Sequence, residues 1–367
     1  MTYLDFSATT PVDDEVLESF VKSTKYFGNP NSMHRLGIQA KHLIDASSAQ
    51  IAEILNVRPD EIIYTSGASE ANNMVIKAME SYKNRGRHII TTELEHSSIY
   101  GPLDYLEKKG FIIDYVPLKD GIVDIEALEG MLDNTSLVTI SMVNSETGIR
   151  QPIEEIGKML KKYPKIFFHA DITQAIGKIK FDLSDVDFAS FSAHKFFGFK
   201  GIGALYKKEN IVISPLINGG KSTTIYRSGT PATSLIVSMA KALRLSYDNV
   251  DADLFKVKEL NLFLKQELSK YEKVKINSNK NSIYHILNFS VLGVKPETFM
   301  HSLEQNDVYI STQSACATGN YSKAVLSLTS DMNRAKSSLR ISISRKTTKD
   351  DIVKFLEAFE ESYNNLV

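Results

Sequence analysis

Short apolar runs alternate with longer stretches of helical periodicity through most of the first 250 residues. The run Ile62-Ile63-Tyr64 precedes a turn of small residues, after which positions 71–82 read as a helix. Residues 88–91, 111–116, 137–142, 166–170, 186–191 and 203–206 are further strand-like runs. Strand, helix and strand in repetition predict a mostly parallel sheet covered by helices. In such open sheets, ligands gather beyond the carboxyl ends of the strands. Polar residues do cluster just after several of these runs. From about Asp251 the texture changes. Positions 253–271 form a long charged amphipathic pattern, followed by short runs at 286–291, 308–311 and 339–344 and a last helix from Lys349. This pattern predicts a second, smaller α+β unit.

Composition narrows the function classes. The 367 residues carry 43 Lys and Arg against 44 Asp and Glu, a net charge of −1. That balance argues against a surface that generally coats nucleic acid or membrane. The single cysteine excludes an intrachain disulfide and a four-thiolate metal site within one chain, and no metal site is expected. The first residues show no apolar signal segment, and no run of about 18 apolar residues occurs. The expectation is a cytoplasmic enzyme.

Five constellations follow the strands. Thr65-Ser66-Gly67-Ala68-Ser69-Glu70 lies between a strand and a helix, where backbone N–H groups and hydroxyls suit a phosphate. A capped helix start would use the same residues. Asp171, directly after an apolar run, is placed to hold a protonated ring nitrogen or to cap a helix. Lys195 ends another run among aromatics. It reads either as an amine nucleophile or as a lysine whose stem covers apolar surface. His96 follows a strand at the same sheet edge. Cys316 sits in a Ser/Thr/Gly-rich stretch, a context that favours an accessible, mobile thiol. Arg340 interrupts a β-like run and suits either carboxylate binding or an ion pair. Residues 226–230, with Arg227 and Thr230, either add to a phosphate site or form a turn. Gly198, Gly201 and Gly203 lack the spacing and the acid-ended βαβ unit of a dinucleotide fingerprint. A phosphate cradle, a strand-end acid, a nucleophilic lysine and a ring-facing histidine together suit pyridoxal 5'-phosphate.

The chain resembles the cysteine desulfurase family, in the class V aminotransferase group of fold-type-I pyridoxal-phosphate enzymes. The matching stretches are 3–11, 28–34, 65–73, 95–97, 169–174, 192–195, 227–230, 314–316 and 338–342, in family order and spread over nearly the whole chain. The resemblance implies an α/β fold: a large domain with a mostly parallel seven-stranded sheet (14–251) and a small α+β domain (1–13 and 252–367). The small domain would carry the cysteine loop at about 311–322. Lys195 would carry the cofactor as a Schiff base, Asp171 would pair with its ring nitrogen, and Gln174 would bond its phenolic oxygen. His96 would stack on the ring and assist proton transfer. Ala68, Ser69, Ser192 and His194 would bind the phosphate, and Thr230 would reach the cofactor of the second subunit in a homodimer. Arg340 would hold the carboxylate of L-cysteine, with Asn29 and His34 near the entrance. Cys316 would take the sulfur as a persulfide and leave alanine. A sulfur-acceptor protein would use it for iron–sulfur clusters or tRNA thiolation. Selenocysteine lyase activity and a sulfur-delivery scaffold with weak turnover share most of these residues. The chain departs from the family pattern at Ser145, where an Asn usually contacts the cofactor, and at Phe199, Lys221 to Thr224 and Gln313.

Overall fold

The computed structural model describes residues 1–312 and 321–367. Its centre is a seven-stranded sheet in the order Ile62–Thr65, Gly203–Lys207, Phe188–Ser192, Phe167–Asp171, Thr135–Ser141, His88–Thr91, Ile112–Tyr115. Gly203–Lys207 runs antiparallel to both of its neighbours, and the other pairings are parallel. The interior strands are buried on both faces, which is why they read as unbroken apolar or small-residue runs rather than alternating ones. The edge strand Ile112–Tyr115 is largely exposed. Gly203 is required by close packing. A Cβ there would lie 2.4 Å from the Phe191 carbonyl oxygen and 2.7 Å from Gly67 Cα. The turn before helix Ala68–Ala78 therefore lies directly on the neighbouring strand.

A second core forms around the antiparallel strands Val274–Ile276, Ile286–Val291 and Ser338–Ser342, packed by helices Val250–Leu268, Pro296–Glu304 and Lys349–Leu366. Leu4, from the chain's start, packs into this core with Leu287, Phe289 and Phe355. Thr2–Tyr3 pairs in parallel with Val308–Tyr309. The chain then crosses to the large sheet, where Thr10 Oγ1 accepts from Phe197 N at 2.7 Å. Residues 5–10 are thus held by both cores.

The strand-like runs of the sequence fall on strands in each case, and the long pattern at 253–271 is helix Val250–Leu268. The 21-residue helix Arg35–Leu55 has no counterpart in that reading. Its buried face includes Gly37, Ala40 and Ser47, so the apolar stripe is weak where small residues permit close approach. Among the described residues, no helix is long and apolar enough to cross a membrane.

Candidate functional site

A cavity of about 450 Å³ opens at the carboxyl ends of the central strands. Its walls include Ala68 and Ser69 at a helix start, His96, Ser145, Asp171, Gln174, Ser192, His194, Lys195 and Arg340. Nine of the ten positions come from segments at the carboxyl edge of the seven-stranded sheet, and Arg340 reaches the same cavity from strand Ser338–Ser342 of the second core.

Lys195 follows strand Phe188–Ser192, and its Nζ donates to the carbonyls of Ser7 at 2.6 Å and Ala8 at 2.8 Å. The amine is therefore turned inward rather than trailing to solvent. Two residues on, Phe197 has φ of +66°, a left-handed conformation costly for a bulky side chain. Its N–H is held by Thr10, and the Arg345 guanidinium lies 4.7 Å from its ring centroid.

Asp171 ends its strand and begins no helix. Its Oδ1 accepts from Thr173 N at 2.9 Å and its Oδ2 from Asn72 Nδ2 at 2.8 Å. Helix capping is thereby set aside, and the carboxylate is an acceptor fixed on the cavity floor. Gln174 is clamped at both ends. Its Nε2 donates to the Ser7 carbonyl at 2.9 Å, and its Oε1 accepts from Lys178 Nζ at 3.1 Å. Lys178 is buried beside Lys195 and Arg340, and burial with these two cations pushes its amine down to about 7.

His96 Nδ1 accepts from Ser98 N at 3.1 Å, so the neutral ring carries its proton on Nε2. Burial lowers its proton affinity, against the opposing pull of Asp171. Burial and the Lys195, Lys200 and Lys178 charges push His194 down to about 4, so it is a neutral hydrogen-bonding group near pH 7. Glu95, next to His96, is buried. It takes hydrogen bonds from Ser141 N and Oγ and from Thr92 Oγ1. Burial outweighs them and pushes its carboxyl up to about 7.

Arg340 is buried, with Nη2 2.6 Å from Asp5 Oδ1 and Nη1 2.9 Å from the Ser145 carbonyl. Its Nε has no partner among the described residues. Both readings of this arginine therefore meet in one side chain: an ion pair, but one on a cavity wall.

The donor set fits pyridoxal phosphate. The amides at the start of an 11-residue helix, with Ser69, Ser192 and His194 beside them, suit a phosphate. Asp171 suits a protonated ring nitrogen and Lys195 an aldehyde. Ser7 Oγ is buried on the same wall without a partner among the described residues.

Three expected residues lie elsewhere. Asn29 is exposed, its Oδ1 accepting from Asn31 N at 3.0 Å. His34 is exposed and caps helix Arg35–Leu55 through Nδ1. Thr230 is exposed, and neighbouring Arg227 pairs with Glu70 at 3.0 Å, which ties this segment to the helix start. Cys316 and most of the 311–322 loop lie outside the described residues. Sequence reasoning missed Asn72 and Lys178. The only signal for them was position: Asn72 lies one helical turn beyond Ser69, and Lys178 lies four residues beyond Gln174 in the turn after strand Phe167–Asp171.

The aminotransferase class-V family profile matches residues 2–355. A NifS/IcsS protein homolog of Lactobacillus delbrueckii subsp. bulgaricus is 40% identical, over 100% of this chain and 98% of its own. The cysteine desulfurase IscS of Clostridium botulinum is 37% identical, over 97% of this chain and 92% of its own. The X-ray structure of a NifS-like protein from Rickettsia africae is 34% identical and superposes with a TM-score of 0.90, covering 99% of each chain. A structure of SspA in complex with cysteine is 31% identical, with a TM-score of 0.82, over 95% of this chain and 100% of its own. With its profile, relatives and superposed structures in agreement, the chain belongs to the class-V aminotransferase family, on the branch of its cysteine desulfurase relatives.

Proposed function

We propose that this protein is a pyridoxal-phosphate-dependent cysteine desulfurase. L-cysteine and the Cys316 thiol give L-alanine and a Cys316 persulfide: the substrate C–S bond breaks, an S–S bond forms, and the alanine carbon takes a proton. The observation that carries this reading is the convergence of Lys195, Asp171, the start of helix Ala68–Ala78 and Arg340 on one cavity.

Bound there, the cofactor supplies an electron sink that makes the substrate's sulfur open to attack by a thiolate. The protein does the rest. Helix amides, Ser69, Ser192 and His194 hold the phosphate. Asp171 faces the ring nitrogen as a fixed anion, and Gln174, clamped by Lys178 and Ser7, has one amide hydrogen left for the phenolic oxygen. Lys195 anchors the aldehyde carbon and then exchanges protons through Nζ. His96 exchanges a proton through Nε2, since Nδ1 is taken by Ser98. Arg340 swings from Asp5 to the substrate carboxylate. Ser145 is too short to replace the usual amide, so the ring oxygen relies on Gln174.

The protein acts as a homodimer in the cytoplasm, Thr230 of each subunit reaching the other's phosphate. Two observations support the dimer. Phe27 and Met33 are 79% and 94% exposed. Their segment is joined to the 221–230 loop by Asn31 Nδ2 donating to the Lys221 carbonyl. A sulfur-acceptor protein then takes the persulfide sulfur for iron–sulfur clusters or tRNA thiolation.

The test is alanine and sulfide release from L-cysteine with a reductant, in the native protein and in Cys316→Ala. The proposal expects equal amounts of both products from the native protein and neither from the variant. Pyruvate in place of alanine would overturn it.

A further inference from the structure

Asn72 has no exposed surface and does not line the cavity. It sits one turn into helix Ala68–Ala78, on the same face as Ser69. Its Nδ2 makes two hydrogen bonds: to Asp171 Oδ2 at 2.8 Å and to Ser98 Oγ at 2.9 Å. Ser98 Oγ is in turn 2.9 Å from His96 Nδ1. The amide orientation is set by chemistry, because an ionised carboxylate only accepts and must face the nitrogen. The cost is visible on the other side, where Asn72 Oδ1 is buried without a partner among the described residues. A buried, unsatisfied carbonyl is expensive, and an apolar residue of this size would avoid it. A side chain kept only for packing would not carry that cost.

We propose that Asn72 is a positioning residue that aims the Asp171 carboxylate at the ring nitrogen of the cofactor and, through Ser98 Oγ, braces the plane of His96, whose tautomer the Ser98 amide already sets. This rests on the functional reading above, because it takes the cavity to hold pyridoxal phosphate. Asn72 is the only side chain among the described residues that hydrogen-bonds Asp171. The Thr173 amide holds Oδ1 but leaves the carboxylate free to rotate. One N–H donor from each side fixes its plane. The same amide nitrogen ties Asp171 and His96 into a chain of three hydrogen bonds, so the helix whose amides would hold the phosphate also sets the two groups that would face the ring.

The test measures the affinity of the cofactor-free protein for pyridoxal phosphate by its visible absorption, without turnover. Native protein, Asn72→Leu, Asp171→Asn and the double variant form a cycle. We expect Asn72→Leu to weaken binding about tenfold or more in the native background and by less than threefold in the Asp171→Asn background. A loss of packing would weaken binding equally in both. Equal effects, or native affinity in Asn72→Leu, would overturn the proposal. Asn72→Ala gives the same comparison if the leucine variant does not fold. Native protein that binds the cofactor but yields no alanine from L-cysteine defeats the functional reading alone. Native protein that binds no cofactor defeats both.

Discussion

Replacing Arg340 with methionine removes the fork that is proposed to hold the substrate carboxylate while keeping the buried stem. In the free protein this guanidinium is shared between Asp5 and the Ser145 carbonyl, and its side chain is only 2% exposed. Substrate must displace Asp5, whose side chain is 19% exposed and can turn to water. The net gain on binding is therefore smaller than that of a new pair of charged hydrogen bonds. We take it as a single bond to a charged group, about 1.5–3 kcal/mol. At 1.36 kcal/mol per tenfold, that is a loss in kcat/KM of roughly 10- to 150-fold. The assay compares L-cysteine with cysteamine, which has the thiol and amine but no carboxylate. The native protein should prefer L-cysteine by roughly this factor, and Arg340→Met should abolish the preference by losing rate on L-cysteine alone. A preference that survives in Arg340→Met would refute the role assigned to this guanidinium. Equal losses on both substrates would show that Arg340 serves only to brace residues 5–7 against strand Ser338–Ser342.

Three further outcomes follow from the geometry. Lys195→Ala should lose the visible absorption of the bound cofactor while keeping the fold, as read by absorption and circular dichroism; an unchanged spectrum would remove Lys195 from its role. The Glu95 carboxyl is raised from 4.5 to about 7, so the folded state holds a proton that the unfolded chain releases, and stability falls as pH rises through that window. The loss is about 3 kcal/mol at most, and Glu95→Gln should flatten this part of a plot of melting temperature against pH. Gly203→Ala should destabilise the protein by about 1–3 kcal/mol in urea, because its Cβ meets backbone rather than a side chain that can move.

The sheet was legible because its strands are buried on both faces and bounded by turns. The strand runs named the edge at which Asp171, Lys195, His96 and the 65–70 turn meet. The reversal of Gly203–Lys207 was not legible, since strand direction leaves no mark in a five-residue apolar run. Helix Arg35–Leu55 hid behind a face of Gly, Ala and Ser. Arg340 was ambiguous for a physical reason: its partner Asp5 lies 335 positions away, and no local pattern reports an ion pair of that span. Asn72 and Lys178 were invisible because they act on other side chains rather than on the cavity itself. Asn29 and His34 came from resemblance alone, and in this chain they make turn and capping contacts.

In the proposed reaction, sulfur passes from L-cysteine to Cys316. The most direct measurement is the mass of the Cys316 peptide after the cofactor-loaded protein meets one equivalent of L-cysteine without reductant. The account predicts a peptide heavier by one sulfur atom, with one alanine formed for each sulfur gained and the added mass removed by reductant. Alanine formed with no mass added to that peptide would contradict it.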